Sequence, residues 1–352
     1  METQEEAYDD DFHEDTASST AECIPVAPAA AESSSTSAPS LAAVRQIPPP
    51  QLTLGSQLGG GAFSVIYLAT WASPGSLPLA CAAKVLVDPS AQAAFTAELR
   101  ALSSFGSHPN LLELLGTSTL PRPCFITRLY GPTLAQVLRQ GPSPRSPWPL
   151  PCILGWAADI ACALAHLHSR PAPLLHRDVK AANILLSQQR PTPEGPGRAV
   201  LVDFGLAGCA LAAAGTPTHM APELFAEGAA PTRAADVYAL GTVLWAMLSG
   251  SEPWAGWKVP DLAKAVAAGQ RLSLGAVRED CPARVKELLA ACWREGQQQR
   301  PTAAALEAAL RGAAAEALAG AGKAASRGGA GGGSGGGDSL DALSSALKVS
   351  RK

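Results

Sequence analysis

The sequence predicts an α+β domain of two lobes, a small strand-rich part followed by a larger helical part. Three observations carry this. Short β-type runs fill residues 52–87 and return at 124–129. After Gly131 the apolar spacing turns helical, most plainly in "PCILGWAADIACALAHLHS" (151–169). The chain has 352 residues and 47% hydrophobic content, enough to bury a sizeable core.

The elements follow in order. Residues 1–50 hold ten acids against a single base, Arg45, then an Ala/Ser/Pro texture that ends in Pro48-Pro49-Pro50. Such a composition buries too little apolar surface to offset the entropy of ordering, so this region is expected to be disordered and acidic. "LTLGSQLGGGAFSVIYLATW" and "PLACAAKVLV" read as strands, with glycines between the first two. "AQAAFTAELRALSSF" (91–105) has helical spacing, and "CFITRL" (124–129) is a further strand.

The long helix at 151–169 precedes two short strands, "NILLS" and "AVLVD", separated by a Pro/Gly loop at 191–197. Residues 234–249 and 282–293 read as helices, and "TAAALEAALRGAAAEALA" (302–319) as an Ala-rich terminal helix. The folded domain is bounded at 51–312, with its first lobe ending near 127 and its second starting near 132. An Ala/Gly-rich linker at 313–337 leads to a short segment, 338–352, whose Leu340, Leu343 and Leu347 share one helical stripe. A helix this short is marginal in water unless it docks on a partner.

Composition excludes several classes. The net charge is −3, with nothing basic enough for a nucleic-acid protein. Eight cysteines are scattered with no CxxC pair, which fits neither a disulfide framework nor a zinc spacing. They read as reduced thiols, and with an acidic N-terminus a cytoplasmic location is expected, with nuclear access left open. The longest apolar run, Val237 to Leu248, is too short to span a bilayer, so no membrane segment is expected.

Chemistry concentrates in four motifs. "LGGGAFSV" (58–65) sets G-x-G between strands, where glycines let backbone N–H groups approach phosphates. No G-K-[ST] follows, so this is not a P-loop. "CAAK" puts Lys84 at the end of an apolar strand, a costly position without a partner, and Glu98 in the next helix is the candidate partner. "HRDVKAAN" offers Asp178 to accept a hydroxyl proton, Lys180 to neutralise a phosphoryl group and Asn183 to ligate a cation. "LVDFGLA" ends a strand on Asp203, a second metal-binding oxygen donor. Each motif alone has an ordinary reading as a hairpin, a snorkelling Lys or a turn, but their order and spacing do not.

Together with "MAPE" (220–223), these residues resemble the eukaryotic protein kinase fold, over roughly residues 52–312. The resemblance implies a two-lobed kinase with ATP and Mg²⁺ or Mn²⁺ as cofactors and protein substrates. Asp178, Lys180 and Asn183 would be catalytic, and Asn183 and Asp203 would hold metal. Leu58, Gly59, Gly61, Val65, Ala82, Lys84, Glu98, Thr127 and Leu129 would bind ATP, with Thr127 as gatekeeper beside the adenine.

Glu223 would pair with Arg300 in "QQRPT", Asp236 in "DVYALG" would brace the catalytic loop, and Leu102, Leu114, His176 and Phe204 would stack as an apolar spine. "LLAACWREGQQQRPT" is similar to the tyrosine-kinase-like group, which includes the MAP kinase kinase kinases. Lys180 and Thr216 resemble serine/threonine-specific members; the alternatives are a pseudokinase scaffold, a dual-specificity or tyrosine kinase, or a small-molecule kinase of related fold. Three positions depart from the pattern: Ser64 for a third glycine, Arg128 for a hinge acid, and His219 for an aromatic.

Two further expectations follow. From Leu206 to Gly215 the chain has no hydroxyl, so Arg177 is expected to lack a phosphate partner from this loop, with Thr218 the one candidate activating site. A phosphate on Thr216 would repel Asp178. Residues 1–50 and 323–352 carry no site motif; they are expected to be dispensable for catalysis and are candidates for partner docking.

Overall fold

The computed structural model describes residues 44–328, except 62, 120–121, 142–147, 208–214 and 227, and side chains through residue 320. Residues 1–43, the 329–337 part of the expected linker and the 338–352 segment lie outside the described residues, as does most of the hydroxyl-free stretch after Asp203.

The small lobe is a five-stranded antiparallel sheet: β1 Leu52–Gly60, β2 Ser64–Trp71, β3 Leu79–Leu86, β4 Leu114–Ser118 and β5 Cys124–Arg128, in the order β1-β2-β3-β5-β4. Side chains alternate between its faces. One face buries Cys81, Ala83 and Val85 of β3 with Cys124 and Ile126 of β5. The other carries Ala82 and Lys84 opposite Leu68 and Ile66 of β2, and Phe125 opposite Lys84. Helix α1, Gln92–Ser104, covers this second face, burying Phe95, Ala101 and Leu102, with the Phe95 ring 5.1 Å from Phe125.

The large lobe is built around α3, Leu150–His168, whose side chains are buried almost all round. By length and composition α3 could cross a membrane, a feature absent from the expectation based on Val237–Leu248; here it is the central helix of the core. Around it stand α2 (Leu134–Gln140), α4 (Arg233–Ser249), α5 (Val259–Ala267), α6 (Ala283–Cys292) and α7 (Ala303–Gly328), with a two-stranded sheet of β6 Ile184–Leu186 and β7 Ala199–Leu201. Helix boundaries follow local chemistry. Thr133 and Gln136 close a capping box on α2, Thr232 caps α4 through Ala235 N, and Gly250 ends α4 in the left-handed conformation with φ 67°.

Two domain boundaries are corrected. The disordered region was expected to reach residue 50, yet Ile47 is 2% exposed and residues 45–47 pair with β4. A Pro-rich composition masked one well-placed apolar side chain. The linker was expected from 313, yet α7 continues to Gly328, with Ala313 and Ala314 buried against the core. High helix propensity of the alanines carries the backbone through Gly320.

Candidate active site

Between the lobes lies a cavity of about 610 Å³. Of the expected nucleotide residues, Leu58, Gly59, Ala82, Lys84, Glu98, Thr127 and Leu129 line it, as do Asn183 and Asp203. Gly61 and Val65 do not. Gly61 sits at the β1–β2 turn, its N–H bonded to Ser64 O at 2.9 Å. Val65 pairs with Val85 on the opposite face, and Ile66 and Leu68 take the cleft wall instead. The two-residue period of the strand is the signal that would have identified Ile66: it shares a face with Ala82 and Lys84. Leu112, Phe125, Tyr130, Gln136, Leu185 and Gln189 also line the cavity and were not anticipated. At the hinge, Arg128 pairs with Glu113, so the departure from an acid is met by an acid just before β4.

Lys84 Nζ lies 2.8 and 2.7 Å from the two Glu98 carboxylate oxygens, joining β3 to α1. Burial pushes the Glu98 carboxyl up, and the Lys84 charge and hydrogen bond pull it back. Opposite, Asn183 Nδ2 donates to Asp178 O at 2.9 Å and to Asp178 Oδ2 at 2.8 Å. Lys180 Nζ stands 2.9 Å from Asp178 Oδ2. Thr216 Oγ1 donates to Asp178 Oδ1 at 2.6 Å and accepts from Lys180 Nζ at 2.8 Å. Burial raises the Asp178 carboxyl, but the bonds from Thr216 and Lys180 and the nearby cation outweigh it, holding it below its ordinary value. It is therefore an ionised acceptor at neutral pH.

The backbone beneath this cluster is strained. Arg177 and Asp203 are both left-handed, at φ 71° and 67°, a conformation that costs on the order of 1–3 kcal/mol per non-glycine residue. Asp236 offsets part of this, its two oxygens accepting from His176 N at 3.0 Å and Arg177 N at 2.8 Å. His168 Nε2, 2.8 Å from Asp236, joins the brace; nothing in the spacing of the sequence pointed to it. Arg177 Nη1 donates to Leu206 O at 3.1 Å.

Phe204 is fully buried, its ring 5.0 Å from His176 and 4.9 Å from Phe105. Leu102 belongs to the same core and Leu114 packs against it. His176 Nε2 lies 2.9 Å from Val202 O, a structural contact. Farther out, Glu223 and Arg300 form two bonds of 2.7 Å, with Tyr238 beneath the guanidinium at 5.1 Å. His219, half-buried, has Nδ1 3.0 Å from Thr218 Oγ1. Burial holds its imidazole down at about 4 against the pull of Asp178, so it is neutral.

The donors fit a hard cation. Asn183 spends its amide nitrogen on Asp178, which leaves Oδ1 available, and Asp203 presents a carboxylate to the same cavity. Among the described residues no group of three or more His, Cys, Asp and Glu forms a closed metal cage. Magnesium in phosphate-binding sites needs none, since it takes one or two protein oxygens and completes its shell with phosphate and water.

Comparison with known proteins agrees with this geometry. The protein tyrosine and serine/threonine kinase profile matches residues 52–310. Mitogen-activated protein kinase kinase kinase 7 of Drosophila melanogaster is 29% identical over 268 residues, covering 72% of this chain and 36% of that protein. Mitogen-activated protein kinase kinase kinase 11 of Homo sapiens is 29% identical over 269 residues, covering 73% and 30%. A protein named "Probable serine/threonine-protein kinase drkD" from Dictyostelium discoideum is 29% identical over 267 residues, covering 73% and 19%. The chain thus spans about a fifth to just over a third of the length of these relatives. With the cleft, the Lys84–Glu98 pair and the Asp178 cluster all falling inside the matched residues, the chain belongs to the protein tyrosine and serine/threonine kinase family.

Proposed function

We propose that this chain is an ATP-dependent serine/threonine protein kinase that passes a γ-phosphoryl group to a protein hydroxyl. One observation carries the reading. The ionised Asp178 carboxylate, with Lys180 beside it, is a single hydrogen bond from Asn183 on the wall of a cavity that also holds Lys84 and Asp203. A hydroxyl-activating base, a phosphate-neutralising ammonium and two cation donors thus converge on one place.

In this reading Lys84, steadied by Glu98, holds the nucleotide phosphates, while Ala82, Ile66 and Leu129 enclose the base next to Thr127. Mg²⁺ or Mn²⁺ held by Asn183 and Asp203 would neutralise charge on the phosphate oxygens. Asp178 orients the substrate hydroxyl and takes its proton as the oxygen attacks the γ-phosphorus, while the bond from that phosphorus to the β–γ bridging oxygen breaks and ADP leaves. Lys180 stabilises negative charge on the transferring group. The contact between Lys180 and the Thr216 hydroxyl supports serine/threonine over tyrosine specificity, and the name of the Dictyostelium discoideum relative, a probable serine/threonine-protein kinase, points the same way.

A place among signalling kinases is proposed on those names, and control through partners or the terminal segments on the scarcity of loop hydroxyls. The test is incubation of the purified chain with Mg-ATP and mixed protein substrates, followed by phosphoamino-acid analysis. Phosphoserine and phosphothreonine are expected; phosphotyrosine alone, or no transfer, would overturn the reading.

A further inference from the structure

The segment just before β1 lies along the free edge of the small-lobe sheet. Ile47 N donates to Thr117 O at 2.7 Å and Thr117 N to Arg45 O at 2.8 Å, so residues 45–47 run parallel to β4 and pair with it through one isolated bridge at Gln46. The Ile47 side chain enters the outer core of the sheet with Leu52, Ala83, Val85, Cys124 and Ile126. The Arg45 guanidinium stands 5.2 Å above the Trp71 ring.

The opposing strand is cut to fit. A Cβ on Gly116 would meet Arg45 O at 2.6 Å and two Ile47 side-chain atoms at 3.0 Å. Gly116 has no positive φ, so its own backbone would accept alanine; what excludes a side chain is the strap. A glycine in an edge strand weakens that strand and marks close backbone approach. Here the approaching backbone restores the lost pairing.

The same strand turns Leu114 toward the main core and the end of α1. The β4 ladder carries a register shift between Leu114 and Gly116, and Leu114 packs against the core that holds Leu102 of α1. Leu102 is one helical turn from Glu98 and on the same face. A cavity of about 340 Å³ opens between Val44 and the strap residue Arg45, the end of α1 at Leu102 and Ser103, and β4. Leu102 of α1 and Leu114 of β4 both line this cavity, so the end of the helix and the strand meet beside the strap.

We propose that residues 45–47 are a positioning strap: by fixing β4 they fix α1, and so set the Lys84–Glu98 pair that the proposed function uses to hold phosphate. Ile47 and Gly116 act through other groups and touch no substrate. The chain is then controllable from its own N-terminus, since the acidic residues 1–43 continue directly from the strap.

The test uses the full-length chain with Gly116→Ala and, as a milder change, Ile47→Val, against Leu77→Ala at an exposed loop position as control. Hydrogen exchange is followed over 92–104, 114–118 and the large-lobe helices, with kcat and the KM for ATP measured below the unfolding temperature. Gly116→Ala should speed exchange in both 114–118 and 92–104, leave α3 and α4 protected, and lower kcat/KM for ATP on the order of tenfold or more. Ile47→Val should shift each quantity in the same direction by less.

Faster exchange confined to 45–47 and 114–118, with α1 and kcat/KM unchanged, would overturn the proposal and leave the strap a mere edge cover. So would a uniform loss of protection through both lobes in both variants. If α1 responds but the wild-type chain transfers no phosphate, the positioning stands and the kinase reading falls.

Discussion

Two carboxylate–cation pairs divide the labour of this molecule, and their surroundings differ more than their chemistry. Glu223 and Arg300 are joined by two bonds, and the Arg300 side chain is 0% exposed. Its remaining donors reach the carbonyls of Ala234, Arg294 and Glu295, and its face rests on Tyr238. Lys84 and Glu98 are equally close, but Lys84 is 21% exposed, opens on the cavity and relies on a point charge rather than a fork. The first pair is sealed into the large lobe and its donors are spent. The second spans two elements and keeps an ammonium where an anion can reach it. Burial with every donor satisfied builds structure; burial on one side alone leaves chemistry available.

Breaking the sealed pair should have the larger effect on folding. Arg300→Ala leaves Glu223 without its cation, and losing one partner of a buried pair costs about 3–5 kcal/mol. The variant should unfold at much lower denaturant concentration than wild type, and an unchanged midpoint would contradict the sealed-pair reading.

Breaking the open pair should do the reverse. Lys84→Met is expected to lower phosphoryl transfer roughly 100-fold or more, as removal of a key charge in a preorganised site does. Stability should change by only about 1–2 kcal/mol, because Glu98, already pushed up by burial, can take a proton in place of the ammonium. A carboxyl raised in the folded state contributes stability that is present at acid pH and lost as the pH rises through its folded value. The stability gap between wild type and Lys84→Met should therefore narrow as the pH falls through the carboxylate range. A gap that widened on acidification would refute this.

A third pair sharpens the contrast from between the two extremes. Asp159 on α3 meets Arg311 of α7 at 3.3 Å and accepts from Ala199 N at 3.0 Å, yet burial raises it to about 6 despite both. Moving a carboxyl from 3.8 to about 6 corresponds to roughly 3 kcal/mol of cost once it ionises. Its stabilising proton is fully bound below 3.8 and lost as the pH passes about 6. Asp159→Asn keeps an acceptor for Ala199 and should gain at most roughly 3 kcal/mol at neutral pH, with the gain vanishing under acid conditions. Equal effects at both pH values would count against it.

Much of this was legible in the chain. Lys84, Glu98, Asp178, Asn183 and Asp203 could be singled out because the motifs fix residue type and order; the cavity gathers Lys84, Glu98, Asn183 and Asp203, with Asp178 hydrogen-bonded to Asn183 beside it, whereas Gly61 stays outside. Helices α1, α3, α4 and α6 were readable from period and length. The shorter elements were missed for definable reasons. β4 is only five residues, with a Gly and a Ser that weaken any strand pattern. α2 has only seven residues, which give little periodicity, and its Thr133/Gln136 capping box was not read from the sequence. Val65 was taken for Ile66 because the motif was matched by residue type and not by strand face. His168 under Asp236 and Ile47 on β4 depend on distant packing, which no local spacing reports.

The central claim is that Asp178 is the base of a hydroxyl-directed phosphoryl transfer while Lys84 and the cavity hold the nucleotide separately. The most direct measurement compares wild type with Asp178→Asn for both transfer from Mg-ATP to protein substrate and equilibrium ATP binding. The account predicts a fall in turnover of about 10²–10⁴-fold, with ATP affinity within a few-fold of wild type. Near-normal turnover in the Asn variant, or a parallel collapse of ATP binding, would contradict it.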